Sequence, residues 1–598
     1  MTRSTITTNE DLPLRVGEFE TLAEGLDYAA RGQTGCNFFS ERGVLNRAMT
    51  YREIREEALD LAPRLVASGL ERGSRVAVIA ETRPEFFVFF FACQYAGIVP
   101  VPLPLSVNLG GRDAYVARLA AMMKRAAVSA AVASDDLIDM LRAAGQEAGI
   151  ERVGTHEEFR AESAKNGFLR PLERQDPCYI QFSSGSTSLP RGVLVTQKAI
   201  TSNARGIGQH GLALQPGDRA TSWLPLYHDM GLVGFFLTPA LAQVSIDYLA
   251  TTTFARRPML WLKILSEYGG TISFSPTFGY DLCLRRSANV DPAQFELSQW
   301  RVAGIGGEMV RASVLQGFAE RFAESGFNPK AFLPSYGLAE STLAVSFTHL
   351  DTGLQLDHVD RESAALKGVA VPVSPHRDGA AASVRTFVKC GRVLPGHAVE
   401  IRDDDDSKLP ERAIGRVCVQ GPSLMQGYYS DLEATRAVIT PDGWLDTGDL
   451  GYLVDGELVI TGRSKDLIIC NGRNIWPQDL EWAVEKLDGI RAGDVAAFAL
   501  GDDEDSERVV LVVECRTPDP EAREALRRYV TAVVQKTAGV GCEVVLAPTR
   551  SLTFTSSGKL SRAAAKADFV AGRIRDVNED LHTSQQESPV LAMAVGSD

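Results

Sequence analysis

Residues 179–193 read YIQFSSGSTSLPRGV. The first four, Tyr179–Phe182, are large and β-prone and predict a short strand. Small residues follow at once: Ser183, Ser184, Gly185, Ser186 and Thr187. Side chains of this size let the backbone approach a polyphosphate, and successive N–H groups and hydroxyls can donate to it. Arg191 adds a fixed positive charge with a planar fork of donors. A flexible polar turn has the same composition, so this stretch alone leaves both readings open.

Working outward, the chain alternates helix and strand. Thr50 and Glu53 have capping-box spacing, and Ile54, Ala58, Leu61 and Leu65 then recur at helical intervals until Gly69. Arg75–Ala80 reads as a buried strand, a helix leads from Pro84 into Phe86–Phe91, and Val99–Leu103 is a second strand. From Phe86 to Gly111 no residue is charged, long enough to span a bilayer. Pro100, Pro102 and Pro104 at alternate positions instead favour a buried helix running into a strand. Such βαβ alternation predicts parallel sheet in a layered α/β domain. It continues to about residue 460, broken by a polar segment at 351–390. Beyond it, Leu480, Ala483, Val484 and Leu487 mark an amphipathic helix, Val495–Leu500 and Val509–Glu514 two strands, and Arg523–Lys536 a further helix. The expected fold class is therefore α/β: a large multi-sheet N-terminal domain (1–464) plus a small α+β C-terminal domain (465–576). The Ser-, Gln- and Glu-rich tail 577–598 is expected to be disordered.

Composition excludes several classes. Of 598 residues, 45% are hydrophobic and 23% charged, which rules out a disordered chain, a collagen-like repeat or a coiled-coil rod. Net charge is −14, which argues against nucleic-acid binding. The nine cysteines form no CxxC pair and have no histidine at metal-ligand spacing, so free thiols in a reducing cytosol are expected. The N-terminus has no apolar core for a signal peptide, and the predicted location is cytoplasmic. Gly206–Gly211 spells GxGxxG but follows a polar, helix-like stretch rather than a strand, so it lacks a dinucleotide context. Ser556–Lys559 resembles the end of a Walker motif but has Thr553 where its first glycine should be.

The order of further motifs is what decides. After Ser183–Gly192 come WLPLYHDMG (223–231), GIGGE (304–308), SYGLAE (335–340), Gly415–Tyr428, GWLDTGD (443–449), GRSKD (462–466) and TSSGK (555–559). This series resembles the adenylate-forming superfamily of acyl-CoA synthetases, peptide-synthetase adenylation domains and luciferases, from about residue 20 to 575. QFSSGSTSLPRGV, LPLYHDMGL, SYGLAEST and KDLIICNGRNIWPQDLE are most similar to the fatty acyl-AMP ligases. The polar segment 351–390 sits where that family carries an insertion.

The resemblance implies a two-step reaction. A fatty acid carboxylate attacks the α-phosphate of ATP to give acyl-AMP and pyrophosphate. The phosphopantetheine thiol of a holo acyl carrier protein then takes the acyl group, with the carrier acting in trans. It also implies residue roles. Ser183, Ser184, Gly185, Ser186 and Thr187 would hold the β/γ-phosphates, with Arg191 where most members have lysine. Glu340 would hold Mg²⁺. Where many members have threonine this chain has Ala339, so a hydroxyl contact to the α-phosphate is lost or moves to Ser341 or Thr342. Tyr336 would stack on adenine, flanked by Ser335 and Gly337, while Gly306, Gly307 and Glu308 line the adenine pocket. Asp449 would accept from the ribose hydroxyls, supported by Arg463. His228 would position the reacting groups. Lys559 would bridge carboxylate and α-phosphate, and Lys465 would be the hinge between the domains. Phe274, Phe278 and Tyr280 would line the acyl pocket.

Three other readings compete. A medium- or long-chain acyl-CoA synthetase is set against by the insertion. An amino- or aryl-acid adenylation module predicts a polar pocket side chain to meet an amine, which the sequence does not assign to any residue. A catalytically dead binding protein is set against by the joint presence of Glu340, Asp449, Arg463 and Lys559.

Overall fold

The structure is a computed structural model that describes residues 12–105, 111–165, 167–183, 190–374, 383–470, 472–501, 508–555 and 559–577. Within it the chain forms two compact units. The larger holds the described residues up to 358 and from 386 to 461. The smaller holds the described residues of 359–385 and from 462 onward. Residues 359–374 and 383–385, read from sequence as part of the N-terminal domain, group with the smaller unit. The tail expected to be disordered lies, from residue 578, outside the described residues.

In the larger unit, Thr50 caps the helix Tyr51–Ala67 and Glu53 closes the capping box, as the sequence spacing implied. The uncharged stretch becomes the helix Pro84–Ala96 and the strand Val99–Leu103. From Phe86 onward that helix is buried on every side, so it has no polar face to present. Among the described residues no helix is long and apolar enough to cross a membrane. The strand joins Arg75–Ile79, Ala130–Ala133 and Arg152–Thr155 in a four-stranded parallel sheet.

A second, nine-stranded sheet carries most of the motifs. Its centre is parallel: Ser245–Leu249, Arg219–Ser222, Ile272–Ser275, Val302–Ile305 and Phe332–Gly337 lie in that spatial order. Parallel neighbours end at the same edge, and ligands of open α/β sheets sit outside the carboxyl ends of the strands. Four of these strands run directly into Trp223–Gly231, Pro276–Phe278, Gly306–Glu308 and Leu338–Glu340. One sheet edge therefore gathers segments up to about a hundred residues apart in sequence.

Behind that edge, Trp261, Tyr280, Trp300, Phe318 and Phe332 pack ring against ring. One buried charge pair pins two strands of the sheet. Arg219 donates through Nε and Nη2 to the two oxygens of Asp247 at 2.7 and 2.6 Å, and Asn37 adds a third bond at 2.8 Å.

The smaller unit has the antiparallel pair Ile468–Cys470 and Arg473–Ile475, the helix Pro477–Val484, and a sheet of Val495–Leu500, Arg508–Glu514 and Glu543–Ala547. The helices Pro520–Ala538 and Arg562–Val570 complete it. Arg361 and Arg385, from the polar segment, both reach Asp479 at 3.2 and 3.1 Å, and Arg385 lies 3.8 Å over the Trp476 ring.

Removing one partner of a buried ion pair leaves an uncompensated charge, at a cost of about 3–5 kcal/mol. Asp247→Asn is expected to lower stability by that amount and to lower the apparent Tm of the larger unit. Replacing both partners, with Arg219→Met and Asp247→Leu, costs less. Thermal unfolding of the single and double variants checks this.

Candidate active site

Two paired strands flank the Ser/Gly-rich run. Pro177–Phe182 pairs antiparallel with Gly192–Thr196, and Ser183 N–H donates to the Arg191 carbonyl at 2.9 Å. Ser184, Gly185, Ser186 and Thr187 lie outside the described residues. The second strand pairs on its other side with Gly427–Tyr428, with Tyr428 opposite Val193. That pairing sets the Tyr428 ring beside Arg191, whose guanidinium carbon is 5.2 Å from the ring centroid.

The Tyr428 hydroxyl donates to Glu340 Oε1 at 2.8 Å, and Met425 N–H donates to the Glu340 carbonyl at 2.8 Å. Burial, then the Glu340 carboxylate, pushes the phenol well above its ordinary range, so it stays a donor. Arg191 works in the opposite sense. Tyr428 closes the Gly415–Tyr428 run, yet the sequence reading gave it no role. Its value depends on a strand pairing that no local pattern reveals.

Glu340 itself is half-buried. Its hard carboxylate oxygens suit Mg²⁺, which nucleotide sites hold through one or two carboxylates together with substrate phosphates. The donor chemistry at Glu340 therefore fits that ion.

The segment after Glu340 corrects one expectation. Ser341 and Thr342 are fully buried, so neither hydroxyl is open to a phosphate. Thr342 Oγ1 donates to the Ser423 carbonyl at 2.6 Å, and Ser341 Oγ lies 3.3 Å from Ser423 Oγ. Ser423 Oγ is in turn hydrogen-bonded to His397 Nε2 at 2.5 Å. Thr342 has φ +66° and ψ −58°, and Leu343 N–H donates to the Ser341 carbonyl at 2.7 Å. This is the rare positive-φ γ-turn, strained for a β-branched residue. Such strain persists where surrounding contacts over-determine it. Gly337 belongs to the same device, because a Cβ there would collide with the Leu343 carbonyl.

The residues expected to face the nucleotide are each fixed by local contacts. Ser335 Oγ donates to the Ile305 carbonyl at 3.1 Å, and a Cβ on Gly306 would stand 3.0 Å from Ser335 Oγ. Gly307 has φ +81°, a conformation glycine adopts without strain. The Glu308 carboxylate accepts from Phe278 N–H at 2.8 Å, capping the start of the helix Thr277–Arg286. Tyr336 is buried beside Val345, Val417 and Leu458, and its hydroxyl donates to Asp449 Oδ2 at 2.7 Å. Thr447 Oγ1 accepts from Asp449 N–H at 3.2 Å. His228 Nδ1 is 2.7 Å from Asp229 Oδ1, and Asp229 also accepts from Met230 N–H, so the ring is held in one orientation.

Of the expected acyl-pocket residues, Phe274 and Phe278 are half-buried. A Cβ on Gly304 would fall inside the Phe274 ring, so that glycine makes the room for it. Tyr280 does not fit the expectation. It is fully buried, donates to the Gly304 carbonyl at 3.0 Å and stacks on Trp300. It is a core residue, because the helix beginning at Thr277 turns it toward the aromatic cluster.

Arg463, Lys465 and Lys559 belong to the smaller unit. Arg463 ends the strand Glu457–Arg463, and Lys465 is exposed in the turn Ser464–Asp466. Lys559 is bonded to Thr555: Thr555 N–H donates to the Lys559 carbonyl at 2.7 Å, and Lys559 N–H donates to Thr555 Oγ1 at 3.2 Å.

The His397 network has a pH signature. Burial holds the His397 imidazole below its usual range, against the backbone carbonyls of Pro395 and Leu394. The unfolded ring takes up a proton near pH ~6.5. Below that pH the unfolded state binds more protons, so stability falls as the pH drops toward the folded-state pKa. Between pH 7.5 and 5 the apparent Tm of the wild type should fall, and that of His397→Asn should fall by less.

The AMP-binding enzyme family matches residues 36–429. Over 570 residues the chain is 45% identical to a Caulobacter vibrioides protein named "Putative acyl-CoA synthetase", covering 95% of this chain and 98% of that one. It is 32% identical over 578 residues to the medium-chain-fatty-acid–[acyl-carrier-protein] ligase JamA of Moorena producens, covering 93% and 96%. A solved structure from a study of fatty acyl-adenylate ligases of E. coli and L. pneumophila superposes with a TM-score of 0.89 at 43% identity. It covers 94% of this chain and all of its own. With a family match across well over half its length and relatives aligned across nearly all of it, this chain belongs to the AMP-binding, adenylate-forming enzymes.

Proposed function

We propose that the chain activates a fatty acid with ATP to acyl-AMP and passes the acyl group to the phosphopantetheine thiol of an acyl carrier protein. The observation that carries this reading is a pair of linked polar groups: Arg191 and Glu340 joined through Tyr428, and Asp449 joined to Tyr336.

In the first step a carboxylate oxygen bonds to the α-phosphorus, and the bond to the bridging oxygen of the β-phosphate breaks. Pyrophosphate leaves. The substrate carboxylate is already ionised at pH 7, so no general base is needed. What the step needs is positive charge where negative charge accumulates. Arg191 supplies it beside the Ser/Gly-rich run, with its donors oriented over Tyr428. Glu340 would hold Mg²⁺, which when bound neutralises phosphate oxygens. Asp449, oriented by Tyr336, receives the ribose hydroxyls, with Arg463 in support. Gly306 and Gly307 admit the adenine close to backbone. His228, oriented by Asp229, positions the reacting groups. Lys559 bridges carboxylate and α-phosphate. In the second step the thiol sulfur bonds to the acyl carbon, the carbon–oxygen bond to AMP breaks, and the thiol proton passes to solvent. Lys465 is the hinge that exchanges the two steps. Phe274 and Phe278 flank the acyl chain.

The Caulobacter relative's name favours a second reading, transfer to coenzyme A. The two are separated by incubating the protein with ATP, Mg²⁺ and fatty acids of graded length, with and without coenzyme A, and following products by mass spectrometry. Acyl-AMP in both arms, converted to thioester only by a holo carrier protein, is the expected result. Acyl-CoA would establish the second reading, and no pyrophosphate release with any acid would remove both.

Within the first step, Tyr428→Phe should lower the rate of ATP–pyrophosphate exchange about tenfold, equivalent to about 1.4 kcal/mol of transition-state stabilisation. The loss should appear in kcat, since the hydroxyl acts on Glu340. Asp449→Ala should instead raise the KM for ATP. Steady-state exchange kinetics on the two variants test this division.

A further inference from the structure

Arg562 stands three residues after Lys559 and opens the helix Arg562–Val570. Its guanidinium faces two carboxylates of the same unit. Nη1 donates to Asp466 Oδ2 at 2.8 Å, while Nε and Nη2 donate to Glu481 Oε1 and Oε2, both at 2.7 Å. The side chain is only 16% exposed and that of Glu481 only 4%. Glu481 Oε1 also accepts from Ala497 N–H at 3.1 Å, so the anchor reaches into the sheet. Burial opposes the guanidinium charge, but Glu481 and then Asp466 outweigh it and hold its pKa above the usual range.

Asp466 is the residue directly after Lys465, at the end of the turn Ser464–Asp466. On the other side of Arg562, Thr555 N–H donates to the Lys559 carbonyl at 2.7 Å, and Ser561 N–H donates to the Thr553 carbonyl at 2.9 Å. One planar fork thus joins Asp466 and Glu481 to a segment 81 to 96 residues further along the chain.

We propose that Arg562 is a positioning residue, coupling the turn that carries Lys465 to the backbone at Lys559 through its paired bonds to Asp466 and Glu481. The inference rests on the reading of Lys559 as the residue that bridges carboxylate and α-phosphate. Its physical content is that Lys559 does not seek its target by local flexing. Lys559 moves as one body with the Ser464–Asp466 turn, and any change of angle is absorbed at or before Lys465. A lysine at 562 keeps the charge but not the fork, and can bond only one of the two carboxylates well.

The test uses the full-length chain and ATP–pyrophosphate exchange with the best fatty acid substrate. Asp466→Asn leaves the Arg562–Glu481 pair in place, so the unit keeps its anchor. It should lower kcat about tenfold with the KM for ATP unchanged, because an ångström of misplacement is enough for losses of that order. Arg562→Lys should show the same split. In a Lys559→Ala background neither substitution should lower the rate further, because their effect passes through the lysine. A full additional tenfold loss in that background, or an unchanged kcat for Asp466→Asn, overturns the inference while leaving the role of Lys559 intact. A Lys559→Ala variant that adenylates at the wild-type rate overturns the reading of Lys559 itself, and the inference with it.

Discussion

Parallel pairing across Arg219–Ser222, Ile272–Ser275, Val302–Ile305 and Phe332–Gly337 is the constraint on which the larger unit's site depends. In a parallel ladder every strand ends at the same edge. The loops that follow are delivered together without needing any contact of their own in advance. The crossovers between the strands build the aromatic core behind them, so the force that buries Trp261, Tyr280 and Trp300 also holds the edge in register. Apolar burial supplies the free energy, and the polar edge is assembled on top of it.

The edge still has to be made stiff, because loops without further bonds would sample many conformations. Three devices do this. Strand pairing sets Tyr428 beside Arg191 and under Glu340. A strained turn at Thr342 is locked by Ser423, itself bonded to His397. The carboxylate of Glu308 is turned inward to cap the helix Thr277–Arg286, and Asp449 is held by the Tyr336 hydroxyl. Each bond joins residues distant in sequence and fixes the direction of a side chain. The smaller unit repeats the principle with Arg562.

Much of this was legible in the chain. The capping box at Thr50 and Glu53, the all-buried helix from Pro84 and the strands Val99–Leu103 and Val495–Leu500 follow from local spacing and hydropathy, and they appear where that spacing puts them. The dismissal of the GxGxxG stretch agrees with its course, since Gly206–Gly211 continues the preceding helix as a wide π-type turn rather than following a strand. Tyr280 was misread because an aromatic residue near a motif suits pocket and core equally. Only the rotation of the helix by about 100° per residue sends Phe278 and Tyr280 different ways. Ser341 and Thr342 were misread for a related reason: composition shows that a hydroxyl is present, not where it points.

The order of motifs along the chain determined the family, the alternating layers and the identity of the chemical groups, because these depend on residue type and local period. Tertiary structure alone decided which groups meet. Tyr428 against Glu340, Tyr336 against Asp449, and Arg562 between Asp466 and Glu481 are separated by 81 to 113 residues in sequence. No local propensity encodes such pairings. They arise when strand register and helix rotation, both set by burial of the apolar core, carry the polar side chains into hydrogen-bonding range.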